Sequence, residues 1–250
     1  MVEWLKNAIF YEIYPQSFAD TNADGIGDIK GIIEHLDYIQ ELGCNALWLN
    51  PCFESPFLDA GYDVSDYMKV APRYGTNADL KCLFDEVHRR GMHIMLDLVP
   101  GHTSWEHAWF KESLKPEKNL YSGRYVWTDD AWKDFDGIGN IRGFLRGMSD
   151  RDGSVAANFY SHQPCLNYGF YEITDPAWQQ TMDSEDALAT CEAIKDVMRF
   201  WLGMGCDGFR VDMAGSLVKN DPEQEGTIAL WQRFRDFLDK EYPDAAMISE

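Results

Sequence analysis

The sequence has no C-x-x-C pair, no apolar run near the ~20 residues needed to cross a bilayer, and no basic-then-apolar leader in Met1-Val2-Glu3-Trp4-Leu5-Lys6. These absences argue against a membrane-spanning or secreted protein, so a cytoplasmic protein is expected. Its six cysteines lie far apart, a pattern of buried reduced thiols rather than a disulfide framework or a sulfur-bound metal. Basic residues are scarce, 22 against 42 acids, for a net charge of −20. Phosphates would be repelled, which excludes nucleic acid and an anionic membrane as expected partners. What remains is average: with 45% hydrophobic and 26% charged residues, the 250-residue chain can bury a core as one large domain.

Apolar runs and helical periods alternate along the chain. Strand-like runs occur at Ala8–Tyr14, Ala46–Pro51, His93–Val99 and Asp207–Asp212, with another beginning at Ala246–Glu250. Helical patterns cover Ile29–Leu42, Asn77–Arg90, about Asp186–Met204 and about Thr227–Tyr242. The run His93–Val99 is almost continuously apolar, as in a strand covered on both faces. From Gly101 to about Asp183 the rhythm breaks into a segment rich in Trp, Tyr, Gly, Asp and Asn, too long for a plain connection. The expected division is therefore residues 1–100 as the first part of a barrel, 101–183 as an inserted subdomain, and 184–250 as the barrel's continuation through its fifth strand.

Strands alternating with helices predict an α/β protein with a parallel sheet, either doubly wound or barrel-shaped. No G-x-G-x-x-G follows the first strand, which weakens the dinucleotide-binding alternative. Tyr14, Asn50, Asp97, Asp212 and Glu250 all fall at C-terminal strand ends, the face on which a (β/α)₈ TIM barrel builds its active site. A barrel is favoured.

Asp212 and Glu250 lie at the mouths of consecutive strands, and two carboxylates sharing a pocket suit glycoside hydrolysis. An acid at a strand end also commonly caps the next helix. Arg210, two residues before Asp212, shares its face of the strand and can pair with it; the plainer alternative is a structural ion pair. Asp97 and His102 follow another strand end, where the histidine can bond a sugar hydroxyl. Among the many aromatics, most of them core, Tyr62 is placed to line the pocket floor.

The loop Asp20-Thr21-Asn22-Ala23-Asp24-Gly25-Ile26-Gly27-Asp28 sets oxygen-bearing side chains at positions 1, 3, 5 and 9 with glycine at 6. That spacing wraps a hard cation such as Ca²⁺, with Asp20, Asn22, Asp24, the Ile26 carbonyl and Asp28 as expected ligands. The alternative is a Gly/Asp turn that caps the helix starting near Asp28.

With these residues laid out, the chain resembles glycoside hydrolase family 13, the α-amylase family, and most closely its oligo-1,6-glucosidase, α-glucosidase and trehalose synthase branch. The likeness spans essentially the whole length. Ala8–Phe18 is similar to the family's first strand, and Asp20–Asp28 to the branch's metal loop. Gly61-Tyr62-Asp63 is similar to its glucose-binding element, implying that Tyr62 stacks on the sugar and Asp63 binds its hydroxyls. Asp97–Ser104 resembles the first signature, with Asp97 structural and His102 on the substrate. Gly208–Asp212 resembles the second, which makes Asp212 the nucleophile and Arg210 its partner. Ile248-Ser249-Glu250 resembles the third, which makes Glu250 the acid/base.

Two positions depart from the pattern: Gly101 stands where asparagine usually precedes the histidine, and Cys165 where Gln163–Asn167 would carry aspartate. The family's third carboxylate and its last three strands would lie beyond residue 250, so a truncated barrel, poorly stable alone, is expected. The resemblance implies a retaining hydrolase of α-linked gluco-oligosaccharides working through a glucosyl-aspartate. The rivals are a trehalose synthase-like isomerase or transglycosylase, a non-catalytic sugar-binding relative, and an inactive fragment.

Overall fold

The computed structural model describes residues 2–135 and 137–250. Strand β1 (Phe10–Ile13) leads through a short helix α1 (Pro15–Phe18) and the Asp20–Asp28 loop into α2 (Ile29–Glu34) and α3 (Leu36–Glu41). Strand β2 (Ala46–Leu49) follows, then an antiparallel pair, β3 (Phe53–Glu54) and β4 (Asp66–Val70), helix α4 (Asn77–Arg89) and strand β5 (His93–Leu98). The long segment after β5 holds α5 (Ala108–Ser113) and a second antiparallel pair, β6 (Gly143–Leu145) and β7 (Val155–Ala157). Helix α6 (Glu185–Met204), strand β8 (Gly208–Val211), helix α7 (Glu225–Glu241) and strand β9 (Ala246–Ser249) complete the order.

The main sheet has five parallel strands in the order β1-β2-β5-β8-β9. Each new strand joins the same edge, with no reversal. A doubly wound sheet reverses its order at a switch point, whereas a barrel advances one way around its axis. The order therefore favours the barrel progression.

Local chemistry explains where the helices stand. Thr76 and Asp79 form a reciprocal capping box at the start of α4, and Ser184 caps α6 by accepting the Ala187 N–H. Gly205 ends α6 in the left-handed region at φ 114°. Helix α4 buries Leu80, Leu83, Phe84 and Val87, one face at the three-and-four spacing. Trp201 of α6 is fully buried and stacks on Phe53 at 5.1 Å. Strands β8 and β9 approach closely at Gly208, where a Cβ would stand 2.2 Å from the Ala246 carbonyl oxygen. No helix among the described residues is long and apolar enough to cross a membrane.

Three details differ from the sequence expectations. The single helix expected over residues 29–42 is two, because His35 turns its ring onto the Gly31 carbonyl (2.7 Å) and its own N–H bonds to Ile32 and Ile33 at the helix end. The β3–β4 pair was not expected; it arises where Tyr67 and Val70 face the core and Asp66 and Met68 face out. Of the six thiols, Cys82 is exposed and Cys44 half-buried rather than buried. The segment between β5 and α6 also packs a small apolar cluster of its own, including Val126, Ala156, Cys165, Phe170 and Trp178.

Candidate active site

Parallel register places the reacting groups. Asp97 on β5 stands level with Arg210 on β8, which stands level with Ile248 on β9. Val211 is level with Ser249, so the next residues, Asp212 and Glu250, leave neighbouring strands at the same height. The Glu250 N–H still bonds the Val211 carbonyl at 3.2 Å. Side chains two apart share a face, which sets Asp97, Arg210, Asp212 and Glu250 around one mouth.

Arg210 ties them together. One guanidinium nitrogen donates to both Asp97 oxygens (2.9 and 3.1 Å) and to Asp212 Oδ1 (3.1 Å). The other pairs with Glu250 Oε1 at 3.0 Å. Its guanidinium carbon lies 5.0 Å from the Trp48 ring centroid, and Trp48 Nε1 donates to Asp97 Oδ2 at 3.2 Å. Asp97 therefore anchors the arginine inside the barrel, and the arginine presents two carboxylates at its rim. Burial pushes Asp97 up to about 7, opposed by Arg210. Burial likewise pushes Asp212 up to about 6; Arg210 opposes this and Glu250 adds to it. Glu250 is half exposed, its side chain at 53%, and also accepts the Met213 N–H at 2.9 Å. Met213 holds the left-handed backbone conformation at φ 46°, unusual for a residue with a side chain and typical of constrained sites.

Arg210, Asp212 and Glu250 line a cleft of about 370 Å³ with Asp59, Tyr62, His102, Phe159 and Met213. Tyr62 stands where expected; its hydroxyl donates to Asp97 Oδ2 (3.3 Å) and accepts from Asn50 Nδ2 (3.2 Å). His102 lines the cleft but is only 2% exposed. Its Nε2 meets the Tyr62 carbonyl at 3.1 Å and its Nδ1 meets Asn158 Nδ2 at 2.9 Å.

Asp63 is a correction. Its carboxylate is fully buried and accepts from Ser55 Oγ and the N–H groups of Leu58 and Asp59, so it closes a turn instead of facing a ligand. The acid that this turn presents to the cleft is Asp59, whose Oδ2 accepts from Gln163 Nε2 at 2.6 Å. Sequence reading missed Asp59, Phe159 and Met213. The signal for Asp59 was an acid set two residues before a glycine that the chain needs at positive φ, Gly61 at 102°.

The Asp20–Asp28 loop lies outside this cleft. Asp20 accepts the N–H groups of Asn22, Ala23 and Gly25, and these, Gly25 foremost, hold its carboxyl below the usual range. Asp28 caps α2 through Gly31 and binds Thr21. The oxygen chemistry suits a hard cation, yet among the described residues no three His, Cys, Asp or Glu side chains gather as a group able to hold a metal ion. In this conformation the loop is a hydrogen-bonded turn with a helix cap.

Residues 12–250 match the sequence pattern of the α-amylase catalytic domain. The chain belongs to the α-amylase family. It is 39% identical to the trehalose synthase/amylase TreS of Mycolicibacterium smegmatis, covering 99% of this chain and 40% of that protein. It is also 39% identical to the oligo-1,6-glucosidase of Heyndrickxia coagulans, covering 98% and 39%. The crystal structure of the trehalulose synthase MutB from Pseudomonas mesoacidophila superposes with a TM-score of 0.79 at 34% identity, over 99% of this chain and 45% of that one. The chain thus spans about 40% of the length of these curated relatives, and the α-amylase catalytic fold identifies its parallel sheet as part of a TIM barrel.

Proposed function

We propose that this α-amylase-family chain carries the nucleophile and the acid/base of a retaining α-glucoside hydrolase acting on α-linked gluco-oligosaccharides. The supporting observation is the register: Asp212 and Glu250 leave adjacent parallel strands at one height, on two nitrogens of one guanidinium. Neighbouring strands lie about 4.8 Å apart, near the ~5 Å carboxylate separation of retaining enzymes and short of the ~6.5–9.5 Å that inversion needs.

In this reading Asp212 Oδ attacks the anomeric carbon as Glu250 protonates the departing glycosidic oxygen. Glu250 then takes a proton from water, which releases glucose from the glucosyl-aspartate with its configuration retained. Arg210 keeps the nucleophile charged against burial. Half exposure suits Glu250, which must exchange protons with solvent. Tyr62 offers the ring on which a pyranose can stack, and His102 a hydrogen bond to its hydroxyls from an Nε2–H shared with the Tyr62 carbonyl. A trehalose synthase-like isomerase is the second reading, favoured by the likeness to TreS; it uses the same intermediate and passes the glucosyl group to a retained glucose instead of water.

The test is release of p-nitrophenol from p-nitrophenyl α-glucoside, with Asp212→Asn as control. Activity lost in the variant by roughly 10⁴-fold or more supports the role; equal rates for parent and variant refute it. Maltose incubation separates the two readings, since an isomerase yields trehalose and a hydrolase only glucose. We also propose the division 1–100, 101–183 and 184–250 described above, and Ca²⁺ bound by Asp20, Asn22, Asp24, the Ile26 carbonyl and Asp28 as a structural ion.

A further inference from the structure

Glycine precedes His102, and another residue's amide fills the space that a side chain there would enter. A Cβ on Gly101 would stand 2.9 Å from Asn158 Nδ2. Asn158, 2% exposed, directly follows β7, and its two ends face opposite kinds of partner. Its Oδ1 meets donors, Lys219 Nζ at 3.5 Å and the Cys165 thiol at 3.8 Å. Its Nδ2 meets acceptors, His102 Nδ1 at 2.9 Å and Met213 Sδ at 3.8 Å.

That division fixes which way the amide points, since turning it over would set its NH₂ against the lysine's donors. Lys219 is itself fully buried and held by the Ser216 carbonyl at 2.7 Å. With Asn158 donating to Nδ1, that nitrogen keeps its lone pair and the ring proton sits on Nε2. The Tyr62 carbonyl, 3.1 Å from Nε2, is an acceptor and requires the same tautomer. Burial pushes His102 down to about 3, so the ring is neutral and its tautomer decides what it offers a ligand.

We infer that Asn158, anchored by Lys219, is a positioning residue that locks His102 as the Nε2–H tautomer, with its N–H on the Tyr62 side of the cleft, and that glycine at 101 makes room for it. The value of that N–H to a sugar rests on the function proposed above; the lock itself does not. The pairing also accounts for the departure at Gly101: the amide comes from the inserted segment instead of from the residue ahead of the histidine.

The experiment is ¹⁵N NMR of the histidine ring nitrogens in this chain and three variants. The parent should show His102 with Nε2 protonated and Nδ1 bare. Asn158→Asp keeps the shape and can pair with Lys219, yet turns the donor facing Nδ1 into an acceptor, so Nδ1 should become protonated. Asn158→Ala leaves only the Tyr62 carbonyl to hold the tautomer, so the Nε2–H population should fall and Nδ1 should show partial protonation, and adding Gly101→Asn to it should restore the parent signature. If Asn158→Asp and Asn158→Ala both keep the parent's tautomer, the inference is overturned and Asn158 merely fills space. In the aryl glucoside assay Asn158→Asp should lower kcat/KM by about tenfold or more, the worth of one hydrogen bond to a neutral donor. A tautomer that moves in a parent without glucosidase activity would remove the functional reading and leave the lock standing.

Discussion

Replacing Asp212 with asparagine should make this protein more stable, by an amount that depends on pH. The carboxyl is raised from 3.8 to about 6 by burial, roughly two units at about 1.4 kcal/mol each, so close to 3 kcal/mol. The folded chain keeps a proton that the unfolded chain releases, so stability is fully present below pH ~4 and is lost as pH rises through about 6. The substituted amide would carry no charge, could still accept from Arg210 through its oxygen, and would escape that loss. Asp97, raised in the same sense, adds a similar slope to both proteins and cancels to first order. Urea unfolding followed by tryptophan fluorescence should therefore show close to equal stabilities near pH ~4 and a gap of about 2–3 kcal/mol in favour of Asp212→Asn at pH ~7.5. A gap independent of pH, or a less stable variant at the higher pH, would refute the reasoning and make Asp212 a well-compensated structural ion pair.

Further outcomes follow from the same contacts. Arg210→Met leaves Asp97 and Asp212 buried without their cation and should cost about 3–5 kcal/mol in urea unfolding. Trp201→Ala removes a fully buried ring stacked on Phe53 and should cost a similar amount, about 3–5 kcal/mol. Calcium at about 100 times its Kd should stabilise the parent by about 2.7 kcal/mol against EDTA, and this gain should vanish in Asp20→Ala; no difference between calcium and EDTA would leave the loop as a hydrogen-bonded turn.

The barrel strands and long helices were legible because period and capping are local properties. Thr76 with Asp79, Ser184, and the apolar spacing of α4 speak from within a few residues. The rim residues Asp97, Arg210, Asp212 and Glu250 were legible for the same reason, each standing at a strand end with side chains two apart on one face. What the sequence hid is what long-range packing decides. The break at His35 depends on where one ring turns. Asp63 and Asp59 are four residues apart in one turn, and only the folded turn shows that the first is consumed by Ser55 and backbone N–H groups while the second faces the cleft. Asn158 lies 56 residues from His102, in a segment without periodicity, and no spacing rule connects them.

The central claim is that Asp212 is the nucleophile of a retaining reaction. Incubating the protein with 5-fluoro-α-glucosyl fluoride, which slows turnover of the covalent intermediate, and mapping the modified peptide by mass spectrometry tests it directly. A single added fluoroglucosyl group on the peptide carrying Asp212, absent in Asp212→Asn, is the predicted result. A label on another carboxylate, or an unlabelled protein that releases β-glucose from α-glucosides, would contradict it.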